Sequence, residues 1–132
     1  MRGFPRTARA VAGLNVLVFK ASIPPATCLA GGCYLPHPVG TVLEANAGRD
    51  LTVYAQALCM TSPGTSERPP RLGDGVTLGG HSVVVGPVEV GDGVRLVFRV
   101  VLDRDAPAGS VVASRALLTR FVTAQEPEST DS

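Results

Sequence analysis

The sequence predicts an all-β fold, a parallel β-helix with a short N-terminal helix or cap, on three observations. First, Leu72, Leu78, Val84, Val90, Leu96 and Leu102 recur every six residues, and Val76, Ser82, Val88, Val94 and Val100 stand four places after the first five of them. A helix repeats near 3.6 residues and a strand alternates at 2, so a sustained period of six fits neither alone. It fits short strands joined by tight corners, each strand turning one side chain into a common interior. Second, Gly73, Gly79 and Gly91 directly follow three of the aliphatic positions, and glycine beside a corner accepts backbone angles that other residues resist. Third, apolar residues make up 45% of the chain but aromatics only 5%, with no tryptophan, the filling that a narrow interior requires.

The 132 residues suffice for one small domain, read as a cap at 1–21, a β-helix domain at 22–114 with a loop at 60–71, and a tail at 115–132. The first segment is basic and then apolar. Pro5 precedes a helix predicted over Arg9–Lys20, placed to cap the lower end of the solenoid, where unpaired backbone groups need cover. Residues 1–7 read equally as a disordered start. From Ile23 the period is already present. Ile23, Leu29, Leu35, Thr41, Ala47, Val53 and Cys59 take the first position, and Thr27, Cys33, Val39, Ala45, Leu51 and Ala57 the fifth. Met60–Arg71 breaks the count, and Ser62–Ser66 within it reads as a protruding loop. The second half then runs to Leu102. Asp103–Ser110 is a turn, Val111-Val112 a last strand, Ala113–Val122 a strand or short helix, and Glu126–Ser132 an acidic, disordered end. About four coils at a strand spacing of about 4.8 Å predict a prism roughly 20 Å tall. Glu44, Asp50, Asp74 and Asp92 read as corner residues, and the Asp-Gly pairs at 74–75 and 92–93 as turn chemistry.

Charged residues are 17% and the net charge is +1, which points to neither nucleic acid nor an anionic membrane as partner. Cys28, Cys33 and Cys59 are odd in number and lack CxxC spacing. They indicate no disulfide framework and no metal site, and are expected to be small core-filling thiols in a reducing compartment. Ala10–Phe19 is apolar after several arginines and faintly resembles a signal peptide, but Asn15 interrupts it and no clean cleavage site follows. No segment is long enough to span a bilayer, and a cytoplasmic location is expected. So short a solenoid is marginal alone, and burial of a flat face against copies of itself is the expected remedy.

Two stretches, YLPHPVGTVLEANAGRDLTVYAQ (34–56) and RPPRLGDGVTLGGHSVVVGPVEVGDGVRL (68–96), resemble the C-terminal part of hexapeptide-repeat acyltransferases, in particular the serine O-acetyltransferase group. DAPAGSVVAS (105–114) resembles that group's closing turn. The likeness covers about residues 22–114. It implies a left-handed parallel β-helix, a homotrimer with active sites between neighbouring subunits, acetyl-CoA as co-substrate, and a small-molecule hydroxyl acceptor such as serine. The family's catalytic base matches His37, in Leu35-Pro36-His37-Pro38-Val39-Gly40. Transfer from a thioester to an alcohol needs the hydroxyl proton removed as attack begins, and imidazole suits that task near neutrality.

Further roles follow from the resemblance alone. Arg68-Pro69-Pro70-Arg71 stands where the family carries Arg-His-Pro-Lys. Arg68 would meet an acceptor carboxylate and Arg71 a CoA phosphate; the alternative for both is a solvated loop arginine. Gly79 and Gly80 would present backbone to the pantetheine, or serve corner geometry alone. Ser22 occupies the position of the aspartate that orients the family histidine. Val97-Phe98-Arg99 replaces a glycine-alanine pair at the coenzyme end, and Ser114-Arg115-Ala116-Leu117-Leu118 replaces the family's closing segment. Two residues usual after Ala47 are absent, yet the period of six survives. His81, in place of a small residue, is expected to be a partly exposed structural histidine. The function so implied is an acetyl-CoA-dependent O-acetyltransferase. The alternatives are a non-catalytic trimeric binding or scaffold protein, and an enzyme repurposed for other chemistry in the inter-subunit cleft.

Overall fold

The chain winds through strands of two or three residues because each hexad supplies one inward side chain and then turns. The structure, a computed structural model, describes residues 5–114; the expected tail at 115–132 lies outside them. Helix α1 (Arg6–Phe19) is followed by β1 (Cys28–Leu29), β2 (Val42–Leu43), β3 (Asn46–Ala47), β4 (Thr52–Val53), β5 (Leu58–Met60) and β6 (Arg71–Leu72). Then come β7 (Thr77–Leu78), β8 (Val83–Val85), β9 (Glu89–Val90), β10 (Arg95–Leu96), β11 (Val101–Leu102) and β12 (Val111–Val112). They form three four-stranded parallel sheets: face one, β1-β3-β6-β9; face two, β4-β7-β10-β12; and face three, β2-β5-β8-β11. The result is a left-handed parallel β-helix. Isolated bridges at Ser22–Val42, Tyr34–Thr52 and Val90–Ala106 add one rung to each face. The prism therefore has five levels rather than the expected four.

Both predicted columns of the second half point inward. Leu72, Val76, Leu78, Val84, Val88, Val90, Val94, Leu96, Val100 and Leu102 are all buried, as is Ser82. In the first half two expectations fail: Val39 is 55% exposed, and Leu43, in neither predicted column, is fully buried. The register explains this. Leu29 pairs with Ala47 and Leu43 with Cys59, so eight residues separate the inward Leu35 from Leu43 and only four separate Leu43 from Ala47. The corner holding His37 is two residues long and the next is two residues short. The errors cancel, which is why the period of six looked intact. The same short corner recurs between Leu102 and Ala106.

The helix begins three residues before the expected start and ends at Phe19, with Lys20 as a left-handed cap whose N–H donates to the Val16 carbonyl. It does not seal the lower end. Ala8, Ala12 and Asn15 face Ile23 and Pro24 across a groove, while Val11, Leu14, Leu17 and Val18 are exposed and Leu29 on the lowest level is 37% exposed. The loop is shorter than expected, 61–70, because Met60 and Arg71 join strands. The thiols divide: Cys59 is buried and Cys33 half-buried, but Cys28 is exposed because it takes an outward position on face one.

The corners are ladders. Between faces one and two, the Arg49 N–H donates to Asp74 Oδ1 at 2.8 Å and the Asp74 N–H to Asp92 Oδ1 at 2.7 Å, so each carboxylate holds the backbone of the level below. Between faces two and three, Gln56, His81 and Arg99 share left-handed backbone, with φ near 60°. There the N–H groups of Gln56, His81 and Arg99 donate to the Val39, Ala55 and Gly80 carbonyls at 3.2, 3.0 and 3.0 Å.

Candidate active site

His37 lies at the face two–three corner on the second level. Its turn is held from both sides. The Gly40 N–H donates to the Lys20 carbonyl below at 2.7 Å, and the Val39 carbonyl accepts from Gln56 above. Pro36 and Pro38 stiffen it by fixing their own φ. The imidazole itself is exposed, and among the described residues no hydrogen bond reaches it. The extra two residues of this corner push the Pro-His-Pro segment out from the prism. Ser22 does not orient it: the serine lies on face three one rung below Val42, engaged through its backbone to the Thr41 carbonyl and the Leu43 N–H, both at 2.8 Å.

Gly79 and Gly80 lie along the same edge as His37, two levels higher, and Gly79 alone of the two has a packing reason to be glycine. A Cβ on Gly79 would stand 2.5 Å from the Leu96 carbonyl oxygen, and one on Gly80 3.5 Å from a ring carbon of Phe98. His81 occupies a left-handed corner position and meets the Phe98 ring edge to face at 5.6 Å between centroids. The Arg99 guanidinium lies 5.4 Å from the centroid of the same ring, within cation–π range.

Arg68 and Arg71 sit elsewhere, beyond the opposite edge of face three. Arg68 Nη2 is 2.7 Å from Glu89 Oε2 and donates to the Pro87 carbonyl at 2.9 Å, while Arg71 Nη1 is 3.6 Å from the same carboxylate oxygen. Arg68 thus pins the 61–70 loop to the next coil, and Arg71 points outward from face one. Within one protomer the structure groups His37, Gly79 and Gly80 on one edge and places the two arginines across face three from them. Glu89 is the partner that sequence reading missed. The signal was available: Glu89 stands one eighteen-residue coil after Arg71 and pairs with it in register.

The outer surfaces of the three faces differ in chemistry. Face one presents Cys28, Asn46, Arg71 and Glu89, and face two Thr52, Thr77, Arg95 and Val111. Face three presents Val42, Leu58, Val83 and Val101 in register, flanked by Met60 and Val85. Val101 is 67% exposed. Of the three faces, the continuously aliphatic one therefore lies between the His37 edge and the arginine edge.

No family model matches the chain. Serine acetyltransferase 4 of Arabidopsis thaliana is 32% identical over 117 residues, covering 86% of this chain and 33% of the relative. A serine acetyltransferase of Helicobacter pylori is 32% identical over 119 residues, covering 87% of this chain and 70% of the relative. The chain thus spans about a third of the plant relative's length and over two thirds of the bacterial one. Soybean serine acetyltransferase complexed with serine superposes with a TM-score of 0.77 at 23% identity, covering 83% of this chain and 46% of that one. A serine acetyltransferase complex with CoA superposes with a TM-score of 0.73 at 21% identity, again over 83% of this chain and 46% of that one. With a six-residue repeat that closes into the same coil, and 32% identity over most of the length of this chain and of a relative, the chain belongs to the hexapeptide-repeat serine acetyltransferase family.

Proposed function

We propose that the chain is an acetyl-CoA-dependent O-acetyltransferase acting on serine or a similar small hydroxyl acceptor, with His37 as general base. The observation that carries this reading is the exposed imidazole on a stiff Pro-His-Pro corner, beside an aliphatic face, in a chain of this family. An unpaired, solvent-facing imidazole is free to take a proton from a bound hydroxyl. As the acceptor oxygen attacks the thioester carbonyl, its proton passes to the ring. When the tetrahedral intermediate collapses, the proton returns to the departing thiolate, so CoA leaves as the thiol and the acetyl group stays on oxygen. With Ser22 in place of a carboxylate, the imidazolium formed midway has no anionic partner from that position, which lowers the rate obtainable from this base.

The working unit in this reading is a homotrimer joined through face three. Its aliphatic column gives the copies an apolar area to bury. Burying it brings the arginine edge of one copy toward the His37 edge of the next, which one protomer cannot do alone. Arg68 or Arg71 then meets the anionic groups of acceptor or coenzyme across the interface, Arg68 exchanging Glu89 for the ligand. An exposed ion pair of this kind is worth only about 0–1 kcal/mol, so the exchange is inexpensive.

The test is thiol release from acetyl-CoA with serine as acceptor. His37→Ala is expected to lower turnover by about a hundredfold or more, the usual contribution of a positioned base, with the native mass unchanged. Unaltered thiol release by that variant rejects the assignment. A second reading, a non-catalytic trimeric scaffold, is favoured by the ring of Phe98 over Gly80; micromolar binding of acetyl-CoA in calorimetry counts against it.

A further inference from the structure

We infer that Phe98 is a plug that decides how well the coenzyme enters, held over Gly80 by His81 and Arg99. This rests on the coenzyme reading above, in which Gly79 and Gly80 face the pantetheine. The edge from His37 upward is a continuous backbone ladder, with successive rungs joined through the Val39, Ala55 and Gly80 carbonyls. A chain-like ligand lying along it from the His37 turn passes the Ala55–Gln56 rung and then meets Gly80, where the missing side chain leaves a shallow recess. Phe98 covers that recess without filling it: two carbons of its ring lie 3.5 and 3.8 Å from where a Gly80 Cβ would be, ordinary van der Waals contact.

The ring is not loosely placed. His81 presents its ring edge to face at an interplanar angle of 82°, and the Arg99 guanidinium stands 5.4 Å from the ring centroid. Contacts of both kinds are favourable at these separations. Both partners hold left-handed backbone, with φ of 58° for His81 and 61° for Arg99, which aims them from successive levels of one corner. Yet Phe98 remains 47% exposed, so a χ1 rotation can swing it into solvent without opening a cavity in the core. A ligand that needs the recess binds only the fraction of molecules with the ring out, and its apparent affinity falls by that fraction.

The test is calorimetric titration of CoA into the full chain and into Phe98→Ala, with melting curves to confirm that the variant is folded. Phe98→Ala is expected to bind CoA about tenfold more tightly, the gain when a state populated at about a tenth becomes the only one. His81→Ala, which removes one of the ring's two supports, is expected to fall between. Equal or weaker binding by Phe98→Ala overturns the plug while leaving the coenzyme reading in place, weaker binding meaning that the ring is part of the binding surface. Binding by neither protein overturns the plug and removes the coenzyme reading with it.

Discussion

Cys59 shows how a single residue reports the interior. It fills the inward position of β5 and is buried there. Burial, with a smaller contribution from the Glu44 carboxylate, pushes its thiol up from the ordinary 9.0 to about 12. Between those values the unfolded chain gives up a proton that the folded chain keeps. The stabilisation is therefore complete below pH 9 and is lost as pH rises toward 12, by up to about 1.4 kcal/mol per pH unit. Urea midpoints at pH 8 and pH 10 check this. The wild type is expected to lose stability over that interval, and Cys59→Val to lose less; parallel declines exclude the thiol as the source. Exposed Cys28 is expected to react with an alkylating reagent in the native protein, whereas Cys59 needs unfolding first.

Among the elements, the corners carry more information than the strands. A strand of two residues is specified by one inward aliphatic side chain, and the periodicity located those of the second half. A corner is specified by what lies on the level above it. Gly79 illustrates this, because its Cβ position is taken by the backbone carbonyl of Leu96 one coil later. Backbone cannot move aside as a flexible side chain can. Gly79→Ala is thus expected to lower stability by about 2 kcal/mol or more, read as a fall in the urea midpoint. A variant with the wild-type midpoint means that the coil shifts freely there and leaves a ligand-facing role as the remaining reason for glycine. The Pro-His-Pro corner makes the opposite point. Its two extra residues are offset by the short corner after Leu43, and no running count of six reveals a pair of compensating shifts. The strand pairing of Leu43 with Cys59 does.

The whole prism has one aliphatic outer face between two polar ones, and the proposed trimer buries that face. Within the hexads, outward positions look alike in sequence: Val42, Leu58, Val83 and Val101 are separated by inward residues and by two other faces. Only the winding stacks them into one column. Val83→Glu places a charge in its middle and is expected to shift the native mass from three copies to one, with loss of thiol release in the same preparation. An unchanged mass places the interface on another face. Among the described residues no helix is long and apolar enough to cross a membrane.

The sequence by itself determined the repeat, the inward columns of residues 72–102, the histidine between prolines and the likeness to serine acetyltransferases. All of these are local or strictly periodic, and a period survives reading one residue at a time. Tertiary structure alone decided that Glu89 holds Arg68, that Phe98 covers Gly80, and that His37 and the arginines stand on opposite edges of the aliphatic face. Each of those depends on which residues a full coil brings level, and corners of unequal length shift that alignment without leaving a mark in the hexad count.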